Sequence, residues 1–387
     1  MTEKSSLRDL SVGSLWHNSA PEAVRRASRA GRDADGWVAW QEHLRQRTEP
    51  QSLGELLPGK LSPLVWALPE PERLENGEPS LVLQLACLGS GRRVDRQGIA
   101  ARLATWLASP ADGQWDAGLA LEALAWAHAL PDLAAFVGRE EWLTLVERLL
   151  SLVGEAQTLP PGNDPLAQQL LAGELGLTLA YLLPEITACR QLAKPSKALL
   201  TAGLGELLDG EGLPPGKHLG QIRALLACWT RARAILDAMS EGRWNAKTEA
   251  QYQRFVRQSL RLTRPDGTHV LTRPTDRKAA TADKDLLAAA SASMDGDRQI
   301  AAMTLDGAKR PAPRGKKLVL PEAASHSEQA SMAVLRRGWD KQAPRLVVDY
   351  HGKAVQLEFC CGPDVFWSGD WELDVQQDGQ ALEPVSD

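Results

Sequence analysis

The chain has 387 residues, 43% of them hydrophobic, and 44 basic against 49 acidic side chains give a formal net charge of −5. That length suits two domains and that apolar content fills a packed core, while the acidic balance argues against a dedicated nucleic-acid binder, which is normally basic. The five cysteines (Cys87, Cys189, Cys228, Cys360 and Cys361) are odd in number and without CxxC spacing, so neither a disulfide framework nor a cysteine zinc site is expected.

Met1 to Asp35 is charged and lacks the apolar core of a secretory signal. No uninterrupted apolar run reaches membrane-spanning length. The default is a soluble cytoplasmic protein with no membrane partner. Residues 1–60 read as an N-terminal helical segment, with Trp37, Trp40 and His43 at i, i+3 and i+6 on one face.

Residues 61–263 read as paired helices. Leu81 to Leu88 stops at Gly89-Ser90-Gly91, and Ile99 to Leu107 follows. Asp112 to Trp115 opens a helix that runs through Leu130 and is interrupted by Pro131. Glu140–Val153, Pro165–Leu183, Pro195–Leu208, Leu219–Met239 and Thr248–Leu262 come next, most of them apolar around much of their circumference, as helices flanked by neighbours must be. Cys87, Cys189 and Cys228 fall here and are expected as buried thiols. Successive antiparallel helical hairpins make an array that either extends as a solenoid or closes as a ring.

Residues 264–325 are polar, Ala-rich and basic, with Arg310 to Lys317 as a linker or exposed loop. The period then changes to two. Ala333–Arg336, Arg345–Tyr350, Ala354–Phe359 and Trp371–Val375 are strand-like, and His351-Gly352-Lys353 and Gln377-Asp378-Gly379 supply hairpin turns. Residues 326–387 therefore read as a partial antiparallel β domain, whose unpaired edge is a solubility hazard. The fold class is multidomain α+β, mainly α-helical.

The order of motifs carries a resemblance. Gly162-Asn163-Asp164-Pro165-Leu166 opens an apolar helix that ends at Leu183-Pro184-Glu185. Asp209-Gly210 and Pro265-Asp266-Gly267 follow, and Ser325-His326-Ser327-Glu328 leads through Met332–Arg336 to Gly338-Trp339. This resembles heparinase II/III-like polysaccharide lyases across about residues 100–387. The resemblance implies an α/α toroid-like domain followed by a β-sandwich. It also implies cleavage of an acidic, uronate-containing polysaccharide by β-elimination. In that chemistry donors neutralise the uronate carboxylate, a Tyr or His removes the C5 proton, and a second group protonates the leaving oxygen. The family opens one helix with Asn-His and places a Tyr after the next Asp-Gly loop. Here Asp164 stands in place of the His, and Asp209 to Leu219 contains no Tyr.

Each candidate residue has a structural alternative. Asn163 matches the carboxylate-contacting Asn, or it caps the helix before Pro165. Asp164 is expected as an N-cap with Pro165 in the first turn. His218 sits one residue before the expected Tyr and is a candidate base, or an exposed loop side chain. Tyr252 is a candidate phenol or a core residue. Arg254, Arg257 and Arg261, at i, i+3 and i+7, suit a polyanionic sugar by bidentate pairing, or form a solvated face. His326 is the candidate in the β region, ahead of His351, which the turn leaves exposed. Trp115, Trp126, Trp229 and Trp244 are sugar-stacking platforms or core.

No phosphate loop, dinucleotide fingerprint or HExxH motif occurs, so no cofactor or metal is expected. The functional expectation is a lyase relative of weak or absent turnover. The alternatives are a non-catalytic glycan-binding or scaffold protein and a fragment of a longer lyase. Asn163 and His218 are expected on one concave face, and the β region packed on helices. If the chain follows the family, its compartment is periplasmic or extracellular. The sequence leaves the oligomeric state open.

Overall fold

Helix starts in this chain are written in its polar residues. Asp95, Asp116 and Asp164 each accept a hydrogen bond from the backbone N–H three residues on, at 3.0, 2.8 and 3.1 Å. Ser52 and Glu55 form a reciprocal capping box. The expected N-cap at Asp164 with Pro165 in the first turn is present. The computed structural model describes residues 15–66, 68, 74–75, 78–88, 94–109, 115–158, 164–239, 242–272, 277–308, 319–352, 354–371, 376–377 and 380–381. Asn163, Gly89–Gly91, Asp112–Gln114, Arg310–Lys317 and Glu372–Val375 lie outside these residues.

The chain divides into two compact units, Met1–Leu204 with Ala227–Glu249, and Gly205–Leu226 with Ala250–Asp387. The division follows compactness rather than secondary-structure class, so helical segments accompany the sheet in the second unit.

The first unit is helical. Among its elements are Glu22–Arg29, Asp33–Gln46, Arg96–Ala108, Ala117–Leu133, Arg139–Thr158, Pro165–Gln168, Gly176–Leu182 and Thr187–Gln191. Ala117–Leu133 carries Pro131 within its last turn rather than stopping before it. Trp40, Trp126, Trp142 and Trp229 are fully buried. Trp142 donates from its indole to the Leu130 carbonyl at 2.9 Å, and Trp229 to Gln169 Oε1 at 3.0 Å. Trp126, Trp229 and the nearly buried Trp244 are thus core residues. Between Pro165–Gln168 and Gly176–Leu182 the chain widens into a π-helix, Gln169–Leu175. A Cβ on Gly173 or Gly176 would fall 2.8 Å from the Leu200 side chain or 2.2 Å from Ser196 Oγ, so glycine permits that close packing.

The second unit combines helical segments with a five-stranded antiparallel sheet. Its strands follow in sequence order: β3 (Ser325–Ser327), β4 (Met332–Arg336), β5 (Arg345–Asp349), β6 (Val355–Cys361) and β7 (Asp364–Trp371). Two small hairpins, β1 (Leu74–Glu75) with β2 (Glu78–Pro79) and β8 (Gln376–Gln377) with β9 (Gln380–Ala381), complete the strands of the described residues. Met332, Val334 and Val347 are fully buried, and their alternation places one face of β4 and β5 inward. The sheet is bound to the helical segment of its own unit. Arg345 donates to the Arg261 carbonyl at 3.2 Å and to that of Thr263, and Arg264 pairs with Glu358.

The polar stretch after Arg264 is not a continuous linker. It forms two helices, Arg277–Ser291 and Asp295–Thr304. Ala282, Leu286, Leu287 and Ala290 make a narrow buried stripe on the first, and Ile300 and Ala301 anchor the second. Strand β7 begins well before the strand-like run at Trp371, and all eight of its residues are exposed.

Candidate functional site

The loop from Asp209 to Gln221 is built by one carboxylate. Asp209 Oδ1 accepts from the backbone N–H groups of Glu211 and Leu213 at 2.9 and 2.7 Å, folding the chain into a tight turn. Its Oδ2 accepts the Ser327 hydroxyl. Gln258 donates to the Glu211 carbonyl at 3.0 Å and to Ser325 Oγ at 3.1 Å. Gly212, at φ +86°, lies so close to the helix Ala246–Arg261 that a Cβ would approach the Arg254 and Phe255 backbone to 2.7 Å. The loop, the helix and strand β3 are therefore held in register.

Strand periodicity then decides which β3 side chain reaches solvent. Ser327 is buried against Asp209, so its neighbour His326 points the other way and is exposed. His326 Nε2 meets the Tyr350 hydroxyl at 2.9 Å, and the two rings stack with centroids 6.3 Å apart. Tyr350 lies just beyond β5, and its backbone N–H donates to the Ser331 carbonyl at 2.9 Å. One shared hydrogen between an imidazole and a phenol is an arrangement suited to proton transfer.

The next residue belongs to a second histidine site. Asp349 is 2% exposed and accepts from His351 Nδ1 at 2.6 Å and from the His351 backbone N–H at 3.2 Å. This bond places a hydrogen on Nδ1 and turns Nε2 outward in role, as acceptor when neutral and donor when protonated. His351 borders a recess of about 200 Å³, whose other walls include Lys217, Leu219, Gln356 and the segment His269–Thr272. A Cβ on Gly216 would fall 2.6 Å from the His351 ring, so only glycine lets the loop approach it. His269 is buried and bonds the Val270 carbonyl at 2.6 Å through Nδ1. Burial, then nearby arginines, lower its pKa to about 3 and keep it neutral.

Solved structures share this architecture. A heparinase III crystal structure superposes with a TM-score of 0.65 at 12% identity, covering 92% of this chain and 66% of that one. A second heparinase III, with methylated lysines, gives 0.61 at 14% identity over 95% and 67%. The heparan sulfate lyase HepC from Pedobacter heparinus gives 0.56 at 14% identity over 92% and 64%. The chain has a heparinase III-like fold. It spans about two thirds of the length of these proteins. In sequence, no family model and no curated protein matches it.

Within the heparinase-like frame, the candidate residues differ in exposure and in partners. Asn163 lies outside the described residues. His218 is half-buried in the Gly216–Gln221 turn and has an interaction partner. Tyr252 is 1% exposed, a core side chain rather than a phenol open to a polymer. The arginine stripe divides along its helix. Arg254 is bonded to Gln251 at 2.9 Å on the exposed side, whereas Arg257 pairs with the buried Asp297 at 2.7 Å. Arg261 is buried, donates to the Glu322 carbonyl at 2.6 Å and lies over the Trp339 ring at 5.3 Å. Burial first, opposed by Glu211, lowers the Arg261 pKa to about 10. Two of the three guanidiniums thus hold the second unit together.

His326, a sequence candidate, gains a phenol partner at the surface. Tyr350 and Asp349 are absent from the sequence-level candidates, although Val348-Asp349-Tyr350-His351-Gly352 placed an acid, a phenol and an imidazole side by side. Among the described residues no group of three or more His, Cys, Asp or Glu is placed to hold a metal ion. No helix among them is long and apolar enough to cross a membrane.

Proposed function

We propose that the protein acts on an acidic, uronate-containing polysaccharide by slow β-elimination, with His326 and Tyr350 as the proton-transfer pair. The observation that carries this reading is the 2.9 Å contact between His326 Nε2 and the Tyr350 hydroxyl at an exposed strand end. It stands on a fold shared with heparinase III and a heparan sulfate lyase. The phenol proton passes to His326, and the phenolate takes the C5 proton of the uronate. The C5 electrons form the C4–C5 double bond as the C4–O bond breaks. The imidazolium then protonates the leaving oxygen, returning both side chains to their starting states. The pair thus stands in for the Tyr missing between Asp209 and Leu219.

The test is the absorbance of the unsaturated uronate product on a panel of acidic polysaccharides. Slow product formation is expected, and Tyr350→Phe and His326→Ala should each reduce it by about 10²–10⁴-fold, the usual span of general acid–base catalysis. Absence of product from the unaltered protein on every polymer, or undiminished turnover in both variants, defeats the proposal. A non-catalytic reading is favoured by one observation, the exposed Trp367 and Trp371 on β7. Glycan binding that ignores salt would support that reading, because indole stacking is not screened as charge pairing is.

A further inference from the structure

We infer that the recess beside His351 is a subsite for the carboxylate-bearing ring of an acidic sugar. This rests on the polysaccharide reading above, and it adds a site distinct from the proton-transfer pair. The observations are the recess itself, the carboxylate that orients its histidine, and the charge around it.

Size limits the occupant first. About 200 Å³ is below the roughly 300–1,000 Å³ of sites that enclose drug-sized ligands. One pyranose ring suits that space and an oligosaccharide does not. Chemistry comes next. Lys217 lines the recess and is exposed, with no ion-pair partner among the described residues. His351 is 38% exposed, and its Nε2 has no protein partner among them. The acid in the wall, Asp349, is buried and hydrogen-bonded to His351, so the pair is neutral overall when the imidazole carries its second proton. Gln356, exposed on β6, offers an amide to sugar hydroxyls. A cationic ammonium, an amide and an imidazole whose Nε2 donates when protonated and accepts a hydroxyl when neutral match a ring that carries both carboxylate and hydroxyls.

The geometry is also prepared. Asp349 fixes the imidazole through two hydrogen bonds, and Gly216 lets the loop close on the ring, where any Cβ would collide at 2.6 Å. His351 therefore costs little further ordering when a ligand arrives. Its place one residue after Tyr350 puts the subsite beside the proton-transfer pair along the chain.

The experiment is saturation-transfer NMR and calorimetry on the whole protein with glucuronate and, in parallel, glucose. Glucuronate is expected to bind and to weaken as salt rises, while glucose gives no saturable signal. Lys217→Ala and His351→Gln should each weaken glucuronate binding by about tenfold, in line with the loss of one hydrogen bond to a charged group. Gly216→Ala should do the same by displacing the ring. Lys217 is exposed, so its variant is expected to melt like the unaltered protein and serves as the folding-safe arm. Tyr350→Phe should leave binding unchanged while turnover falls. Equal binding of glucose, or unchanged glucuronate affinity in Lys217→Ala and His351→Gln, overturns the subsite. Lost binding in those variants with no turnover in any protein refutes the elimination mechanism and leaves the subsite standing.

Discussion

Each unit contains a fully enclosed arginine–glutamate pair, Arg231–Glu174 in the first and Arg264–Glu358 in the second, and the two do different work. In the first unit Arg231 grips Glu174 at 2.5 and 2.9 Å and bonds the Pro63 carbonyl at 3.2 Å. That pair joins the π-helical segment to Ile222–Ala238 in a core with fully buried Cys228 and half-buried His128. In the second unit Arg264 grips Glu358 at 2.9 and 2.6 Å, and also bonds Thr268 and the Thr272 carbonyl. Glu358 further accepts from the Leu271 N–H at 2.7 Å, where Leu271 is held at φ +58°. The first pair closes a core; the second shapes the wall of a recess. The same chemistry is structural in one place and site-forming in the other.

The largest expected effect tests that difference directly. Glu174→Ala and Glu358→Ala each strand a buried guanidinium, which typically costs about 3–5 kcal/mol. Both should therefore lose stability by a similar amount in denaturant titrations. Only Glu358→Ala should also weaken glucuronate binding, because the loop His269–Thr272 loses its anchor. A Glu174→Ala protein that folds but fails to bind glucuronate would erase the distinction.

A smaller effect comes from one histidine in each unit, His128 in the first and His269 in the second. Burial first, then nearby arginine charge, lower the pKa of His128 and of His269 to about 3 from 6.5. At pH above 6.5 both are neutral folded or unfolded and contribute no pH dependence. As pH falls below that value the unfolded chain takes up protons that the native state refuses, and stability declines until about pH 3. Each histidine then contributes a slope on the order of 1 kcal/mol per pH unit. Denaturant titrations between neutrality and mild acid should show this fall, and His269→Gln should flatten it. Unchanged slopes in that variant would mean that His269 accepts a proton in place.

What the sequence disclosed follows from which forces are local. The helix start at Asp164 is legible because an N-cap needs only its own next three residues, whereas the helices expected from Ile99 and from Asp112 begin at Arg96 and Ala117, behind the caps Asp95 and Asp116. Strands β4, β5 and β6 are legible from period-two alternation and the turn after Tyr350. Arg277–Ser291 is not, because alanine hides an apolar stripe whose only large members are Leu286 and Leu287. The π-helix at Gln169–Leu175 is also invisible, since it answers to the distant Arg231 and Trp229. The candidate site divides the same way. His326 is reached through its motif, but its value depends on Tyr350, brought beside it by strand pairing across 24 residues. Spacing on one helix suggested a common face for Arg257 and Arg261, yet their partners Asp297 and Glu322 come from segments far along the chain. Long-range pairing is what a local pattern cannot state.

The smallest expected effect concerns β7, the strand at one edge of the five-stranded sheet. Phe366 and Trp367 are 60% and 59% exposed, and Trp367 lies 5.3 Å from the Phe359 ring. Strand alternation places Trp367 and Trp371 on one face with Gly369 between them. An exposed edge strand rich in aromatics is a template for association. Trp367→Ser removes mostly solvent-exposed surface, so stability should change by less than about 1 kcal/mol. Solubility at high concentration should rise, as measured by light scattering. Loss of affinity for a neutral glycan in the same variant would transfer weight to the stacking reading. A stability loss of several kcal/mol would instead show that β7 is covered in solution, and would remove Trp367 as a sugar platform altogether.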